Sequence, residues 1–369
     1  MTPVYKLSTS SMASRTTYGS MLAGNPEFFR SELFYVLEAG YGSPYVNAYQ
    51  YQPPTGWLSK YADPATTPGQ DIGGGCWNAD GTVAFAAATS GLGNAIAYPF
   101  NTSTGFGTKY SNPSGVGGIF KMKANSASSV VAIANNPGQI QAVNWNNSTG
   151  WGSVFAAPGT LPGFSLGRGV AWHPNQGAIA VSGTSGNYLQ AYAWSGGWST
   201  KYSNPSGGAG ANYGNKPSFN NAGTAVGVGI DQSPNVQVWQ WSSGFSTKYS
   251  DPATTPGGLG FQVSFNPNDT AIGVGTRDAG SNSQLSIFTW SNATGFGTRY
   301  TTPAGYNGGE VPTIAWTADN KNVLVSSYGT PYVWAYPWDD STGYGTKYAN
   351  PATTPTNLGV ELDVVPRTV

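Results

Sequence analysis

The sequence predicts an all-β chain folded as a ring of repeated four-stranded units. Three observations point there: a composition suited to strands and turns, a string that recurs seven times, and two partial units at the ends that complete each other. The 369 residues include 52 Gly and 26 Pro, and 14% are aromatic but only 9% charged, against about 25% charged in an average soluble chain. Helical bundles and coiled coils are excluded, because they need long Ala-, Glu-, Lys- and Leu-rich runs free of Gly and Pro. Disorder is excluded by 13 Trp, 22 Tyr and 15 Phe, which supply apolar area that disordered chains lack.

The recurring string reads Gly, aromatic, small, small, Lys, aromatic, small, Asn or Asp, Pro, as in GFGTKYSNP at 105–113 and GFSTKYSDP at 244–252. Its second aromatic falls at Tyr61, Tyr110, Phe155, Tyr202, Tyr249, Tyr300 and Tyr348, at intervals of 45 to 51 residues. A proline follows three residues later each time, at Pro64, Pro113, Pro158, Pro205, Pro252, Pro303 and Pro351. Such a period marks stacked supersecondary units, here the seven blades of a β-propeller.

Each blade reads as four short strands. In the unit ending at Tyr202, GVAWHP (169–174) is the first, AIAVSG (178–183) the second, YLQAYAW (188–194) the third and GWSTKY (197–202) the fourth. NADG at 78–81 and NNAG at 220–223 are turns, since Asn, Asp and Gly tolerate positive φ there. The loop before the fourth strand spans four residues after Trp145 and two after Trp194, a difference that preserves side-chain alternation.

The N-terminal unit has ELFYVLEAG (32–40), PYVNAYQY (44–51) and GWLSKY, which match second, third and fourth strands, but no first strand. At the other end LGVELDVV (358–365) is a first strand with nothing after it. Pairing the two completes a seventh blade and removes the open edges of a broken ring. The expected organisation is an arm over 1–31 and a propeller over 32–369. In the arm, NPEFFR (25–30) suits one helical turn, and Tyr5, Tyr18, Met21, Phe28 and Phe29 are the candidate partner-contact residues.

Chemistry-bearing residues are few. One cysteine, Cys76, permits no internal disulfide, and one histidine, His173, leaves metal and acid/base chemistry short of ligands. His173 takes the slot of Asn78, Asn220, Asn266 and Thr317, so it reads as a turn residue; Cys76 reads as a buried first-strand residue. No catalytic, cofactor-binding or metal residue is assigned. A hydrolase would have to use carboxylates gathered at the ring centre, without any nucleophile-elbow string. The 16 basic and 16 acidic residues leave no surplus for nucleic acid.

The repeated cation, at Lys60, Lys109, Lys201, Lys248, Arg299 and Lys347, reads as protection of the outermost strand, with an anionic ligand at the rim as the alternative. Third-strand aromatics such as Tyr49, Tyr98, Trp239 and Phe288 read as packing between blades. Those opening the fourth strand, such as Trp57 and Trp151, are expected to be partly exposed.

The strings GYGTKYANPATTP (343–355) and PYVWAYPW (331–338) resemble blades of the WD40-like propellers encoded by tailed bacteriophages. The resemblance covers about residues 33–365, although only Trp338-Asp339 forms a Trp-Asp pair. It implies a non-enzymatic virion protein, a capsid decoration or tail-associated module anchored to other virion proteins by the arm. The alternative is a lectin-like adhesin that binds host-surface glycan through blade loops. No cofactor, nucleic acid or membrane insertion is expected. With no secretion signal or apolar span in the sequence, the expected location is the virion, after synthesis in the host cytoplasm.

Overall fold

In the computed structural model of the protein, the residues described are 32–89, 94–135, 139–208, 213–277, 285–303, 306 and 309–366. The arm, with Tyr5, Tyr18, Met21, Phe28, Phe29 and the turn expected at 25–30, lies outside them. The strands form seven antiparallel four-stranded sheets, each ordered from first strand to fourth. Blade 1 joins Gly359–Pro366 to Phe34–Gly40, Val46–Gln52 and Gly56–Lys60. Blades 2 to 7 follow over 72–106, 119–154, 167–201, 214–248, 259–299 and 313–344.

Ring closure is as the sequence predicts. Gly359–Pro366 runs antiparallel to Phe34–Gly40, with Phe34 opposite Pro366 and Ala39 opposite Glu361. First strands of successive blades adjoin one another around the ring and line a central channel. Second strands are sandwiched between neighbouring blades, so they read as unbroken runs of small and apolar residues. VAFAAA (83–88) and AVGVGI (225–230) are buried throughout.

The turn between first and second strands is held by its opening residue. Asn220 Oδ1 accepts from the N–H groups of Thr224 and Ala225, both at 2.8 Å, while its Nδ2 donates to Asp269 of the next blade at 3.0 Å. The fourth position is left-handed in blades 2 to 7, at Gly81, Ser128, Gln176, Gly223, Asp269 and Asn320. His173 serves the same turn in blade 4: Asn175 N–H bonds its Nδ1 at 3.2 Å, and Nε2 lies 2.9 Å from Gly223 O.

Two fourth strands are shorter than expected, Gly105–Phe106 and Gly343–Tyr344. The facing third strands carry Pro99 and Pro337, which lack the N–H that would extend the ladder. Gly107 N–H still reaches Pro99 O at 2.7 Å, and Tyr110 N–H reaches Ala97 O at 3.0 Å.

Candidate functional site

Because first strands face the channel, the charges they carry meet at the ring axis. Lys121 and Lys123 of blade 3 alternate along Ile119–Ala124, Lys216 lies on Gly214–Phe219 of blade 5, and Glu361 and Asp363 come from the closing strand. Glu361 Oε2 accepts from Lys216 Nζ at 3.0 Å and from Lys121 Nζ at 3.3 Å. Lys216 also donates to Pro312 O and Val360 O, both at 3.0 Å, and to Thr313 Oγ1 at 2.5 Å. Asp363 accepts from Lys123 Nζ at 2.9 Å and from the Trp77 N–H at 2.8 Å. Burial opposes a charge on Glu361, but Lys216 and Lys121 together hold its carboxyl below the usual value. Burial pulls the pKa of Lys216 down to about 7, against the opposing pull of Glu361.

Above this layer lies the end of the channel where first strands begin and second strands end. Arg168 is the second residue of the blade 4 first strand, and Arg277 ends the blade 6 second strand opposite Leu259. The Arg168 guanidinium lies over the Tyr213 ring at 4.9 Å, and that of Arg277 over the Phe261 ring at 5.6 Å. Phe261 also packs on Tyr328 at 6.5 Å and receives Lys216 Nζ at 5.9 Å from its centroid. Arg168 Nη1 reaches Asn215 Oδ1 at 3.4 Å, while its buried Nε makes no hydrogen bond. Burial, and then the charge of Arg277, lower the pKa of Arg168, with the charge on Asp231 acting in the opposite direction. Asp231 Oδ1 accepts from the Tyr213 N–H at 3.1 Å. Among the described residues, no three His, Cys, Asp or Glu side chains gather to hold a metal ion.

Below the mouth, Glu38 is buried in the second strand of blade 1. Its Oε2 accepts from Asn47 Nδ2 at 2.7 Å, and its Oε1 has no hydrogen-bond partner. Burial pushes the carboxyl up to about 8, against smaller pulls from Asn47 and Lys60.

The residues singled out from sequence lie elsewhere. Tyr61, Tyr110, Phe155, Tyr202, Tyr249, Tyr300 and Tyr348 pack at the seams between blades. The prolines after them, Pro64, Pro113, Pro158, Pro205, Pro252, Pro303 and Pro351, are buried or half-buried where the chain leaves each blade. The repeated cations turn back on their own loops: Lys60 and Lys248 pair with Asp63 and Asp251, and Lys109, Lys201 and Lys347 donate to Asn112, Asn204 and Asn350. Cys76 is buried in its first strand, and burial pushes its thiol up to about 12. Sequence reasoning missed Lys121, Lys123, Arg168, Lys216, Glu361 and Asp363. The available signal was charge inside first strands (KMK, GRG, NKP, VELD) of a chain poor in charge.

The chain matches no protein-family model, and comparison with curated proteins finds no relative. Among solved structures it is similar to a protein described as a candidate 6-phosphogluconolactonase from Bacteroides uniformis, at 14% identity and TM-score 0.70, covering 90% of this chain and 100% of that one. It is likewise similar to the periplasmic gluconolactonase of Pseudomonas aeruginosa, at 15% identity and TM-score 0.70, covering 90% and 99%. A chain of a mitotic checkpoint complex matches at 14% identity and TM-score 0.55, covering 78% and 81%. These likenesses establish the WD40-like propeller fold.

They also correct the functional expectation of a non-enzymatic virion protein, whether capsid decoration, tail module or glycan-binding adhesin. Nothing in the comparisons supports a phage particle, and the similar structures bear lactonase descriptions. The expectation rested on scarce catalytic residue types. Counting residue types along the chain cannot register a cluster that the first strands of separate blades assemble.

Proposed function

We propose that the protein binds the lactone of a sugar acid at the channel mouth and hydrolyses it. The observation that carries this reading is that two guanidiniums, of Arg168 and Arg277, stand at this end of the ring, each stacked on an aromatic ring. Stacking occupies the guanidinium faces and leaves in-plane N–H donors at the edges, which suit carboxylate, phosphate or a developing oxyanion. Arg168 has five such donors, and the Asn215 bond engages one of them.

In this reading Asp231, whose charge acts on Arg168, takes a proton from the attacking water. The water oxygen bonds the lactone carbonyl carbon, the ring C–O bond breaks, and the released oxygen takes up the proton to give a hydroxy acid. The guanidiniums stabilise the carbonyl oxygen as it gains charge. The lactonase descriptions of similar structures support the reaction class.

Acid release from glucono-1,5-lactone and from its 6-phosphate, followed against the spontaneous rate, tests the reading. Saturable acceleration is expected, with Asp231→Asn lowering kcat by about 100-fold or more. Rates equal to the spontaneous ones for both lactones would overturn it.

A further inference from the structure

Glu38 stands where the second strands of the six other blades carry Ala86, Ile133, Val181, Val228, Val274 and Val325, each opposite the same third-strand position. Its strand face, shared with Phe34 and Val36, packs on Leu324 and Val333 of blade 7. A carboxyl thus enters the seam that closes the ring. We propose that this seam holds a monovalent cation of sodium size, bound by Glu38 Oε1 and the neutral oxygens around it. The site is separate from the lactone chemistry of the mouth and does not depend on it.

The oxygens come from both sides of the seam. A Cβ added at Gly40 would lie 2.9 Å from Glu38 Oε1, and one at Gly359 would lie 3.2 Å from it and 2.8 Å from Tyr332 O. The two missing side chains leave a cradle at the carboxyl oxygen. Ser326 Cβ lies 3.3 Å from the same Gly359 position. Glu38 Oε1, Asn47 Oδ1 and Ser326 Oγ are buried without hydrogen-bond partners, and burying acceptors unpaired is costly. All these groups offer oxygen, which is what a hard cation takes.

Charge and size narrow the choice of cation. Glu38 is the one acid among the residues lining the cavity under the loop at 355–357. A single positive charge neutralises it, whereas a divalent ion would leave a buried surplus. The cavity is too narrow for a water-sized body, which excludes ammonium and potassium but not sodium. Thr356 Oγ1 ties the roofing loop to Ser43 O at 2.7 Å. Without a cation, burial keeps the proton on Glu38 up to about pH 8. Cation and proton therefore compete for one carboxyl.

Thermal unfolding of the full chain at about pH 9, where protons compete least, provides the test. Sodium chloride is replaced stepwise by tetramethylammonium chloride at constant ionic strength. The midpoint should rise saturably with sodium, by about 2 °C or more, and much less with potassium. The protein should also broaden the sodium-23 resonance. Both responses should vanish in Glu38→Gln, while Ser326→Ala, which keeps the carboxyl, should need more sodium for the same rise. Equal midpoints in sodium and tetramethylammonium would overturn the inference and leave Glu38 as a plain buried acid. Equal responses to sodium and potassium, or a sodium response that survives in Glu38→Gln, would overturn it as well. Should Glu38→Gln not fold, the native chain and Ser326→Ala decide: a sodium response unchanged by the loss of the Ser326 hydroxyl counts against the site.

Discussion

The hydroxyl of Tyr249 donates to the backbone carbonyl of Asn292 in the next blade, 2.7 Å away. The ring stands edge-on to Trp290, with centroids 4.9 Å apart. The same relation recurs from Tyr61 to Thr102 O, Tyr110 to Asn147 O and Tyr300 to Asp340 O. The second aromatic of the repeat therefore packs each blade against its successor, and at the closure Tyr348 packs on Tyr51 at 5.8 Å.

Tyr249→Phe should cost about 1 kcal/mol, the net value of one hydrogen bond, and Tyr249→Ala about 3–5 kcal/mol, as expected for a buried aromatic. Tyr202→Phe should be close to neutral. It faces the shorter hairpin after Trp241 and packs on that ring at 5.0 Å without a carbonyl bond. Urea unfolding midpoints of the three variants give the comparison, and equal losses for both phenylalanine substitutions would disprove the assigned role of the hydroxyl.

Gly295 is the seam partner of the same tyrosine. Its φ is +85°, and an added Cβ would lie 2.9 Å from Tyr249 Cδ1. Gly295→Ala meets both a left-handed backbone and a ring it cannot displace, so a loss of about 1–3 kcal/mol is expected. Gly69, also left-handed at +72° but with nothing within 4 Å of an added Cβ, isolates the backbone part. Gly69→Ala should lose measurably less in thermal unfolding.

Why the blades were legible and the site was not follows from these residues. Tyr61, Pro64 and their counterparts solve one packing problem seven times, so their spacing exposes the ring, its count and its closure. The fourth strands that end early at Phe106 and Tyr344 are also readable in retrospect, from Pro99 and Pro337. The channel charges solve a problem that arises once. Lys121 and Glu361 are 240 residues apart and meet only because the closing strand enters blade 1. Nothing periodic marks Arg168 or Arg277, and no local spacing connects them.

That dependence on the closing strand yields a prediction for Glu361. Its carboxylate holds Lys216 and Lys121, and all three side chains are at most 13% exposed. Glu361→Gln leaves two buried ammonium groups without their counter-charge, for an expected loss of about 3–5 kcal/mol. Lys123 also pairs with this strand, but its side chain is 43% exposed. Lys123→Met should therefore cost less than about 1 kcal/mol. Similar midpoints for the two variants in urea would show that the cluster does not hold the ring shut.

Glu38 sets a dependence in the opposite pH direction from ordinary paired carboxylates. Burial raises its pKa from 4.5 to about 8, with Lys60 pulling the other way, and its charge in turn acts on Tyr49. In the folded chain Glu38 holds its proton up to about pH 8, whereas the unfolded chain releases it near 4.5. Below the lower value both states are protonated and the residue has no pH-dependent effect. Between the two values the folded state binds the extra proton, so stability falls as pH rises, by up to about 1.4 kcal/mol per pH unit. Above about 8 the group is ionised in both states and its contribution levels off. Glu38→Gln keeps the shape and the Asn47 neighbour but removes the titration. Urea midpoints measured from pH 5 to pH 9 should decline more steeply for the native protein than for Glu38→Gln. Parallel curves would mean that the carboxyl is ionised in the fold throughout that range.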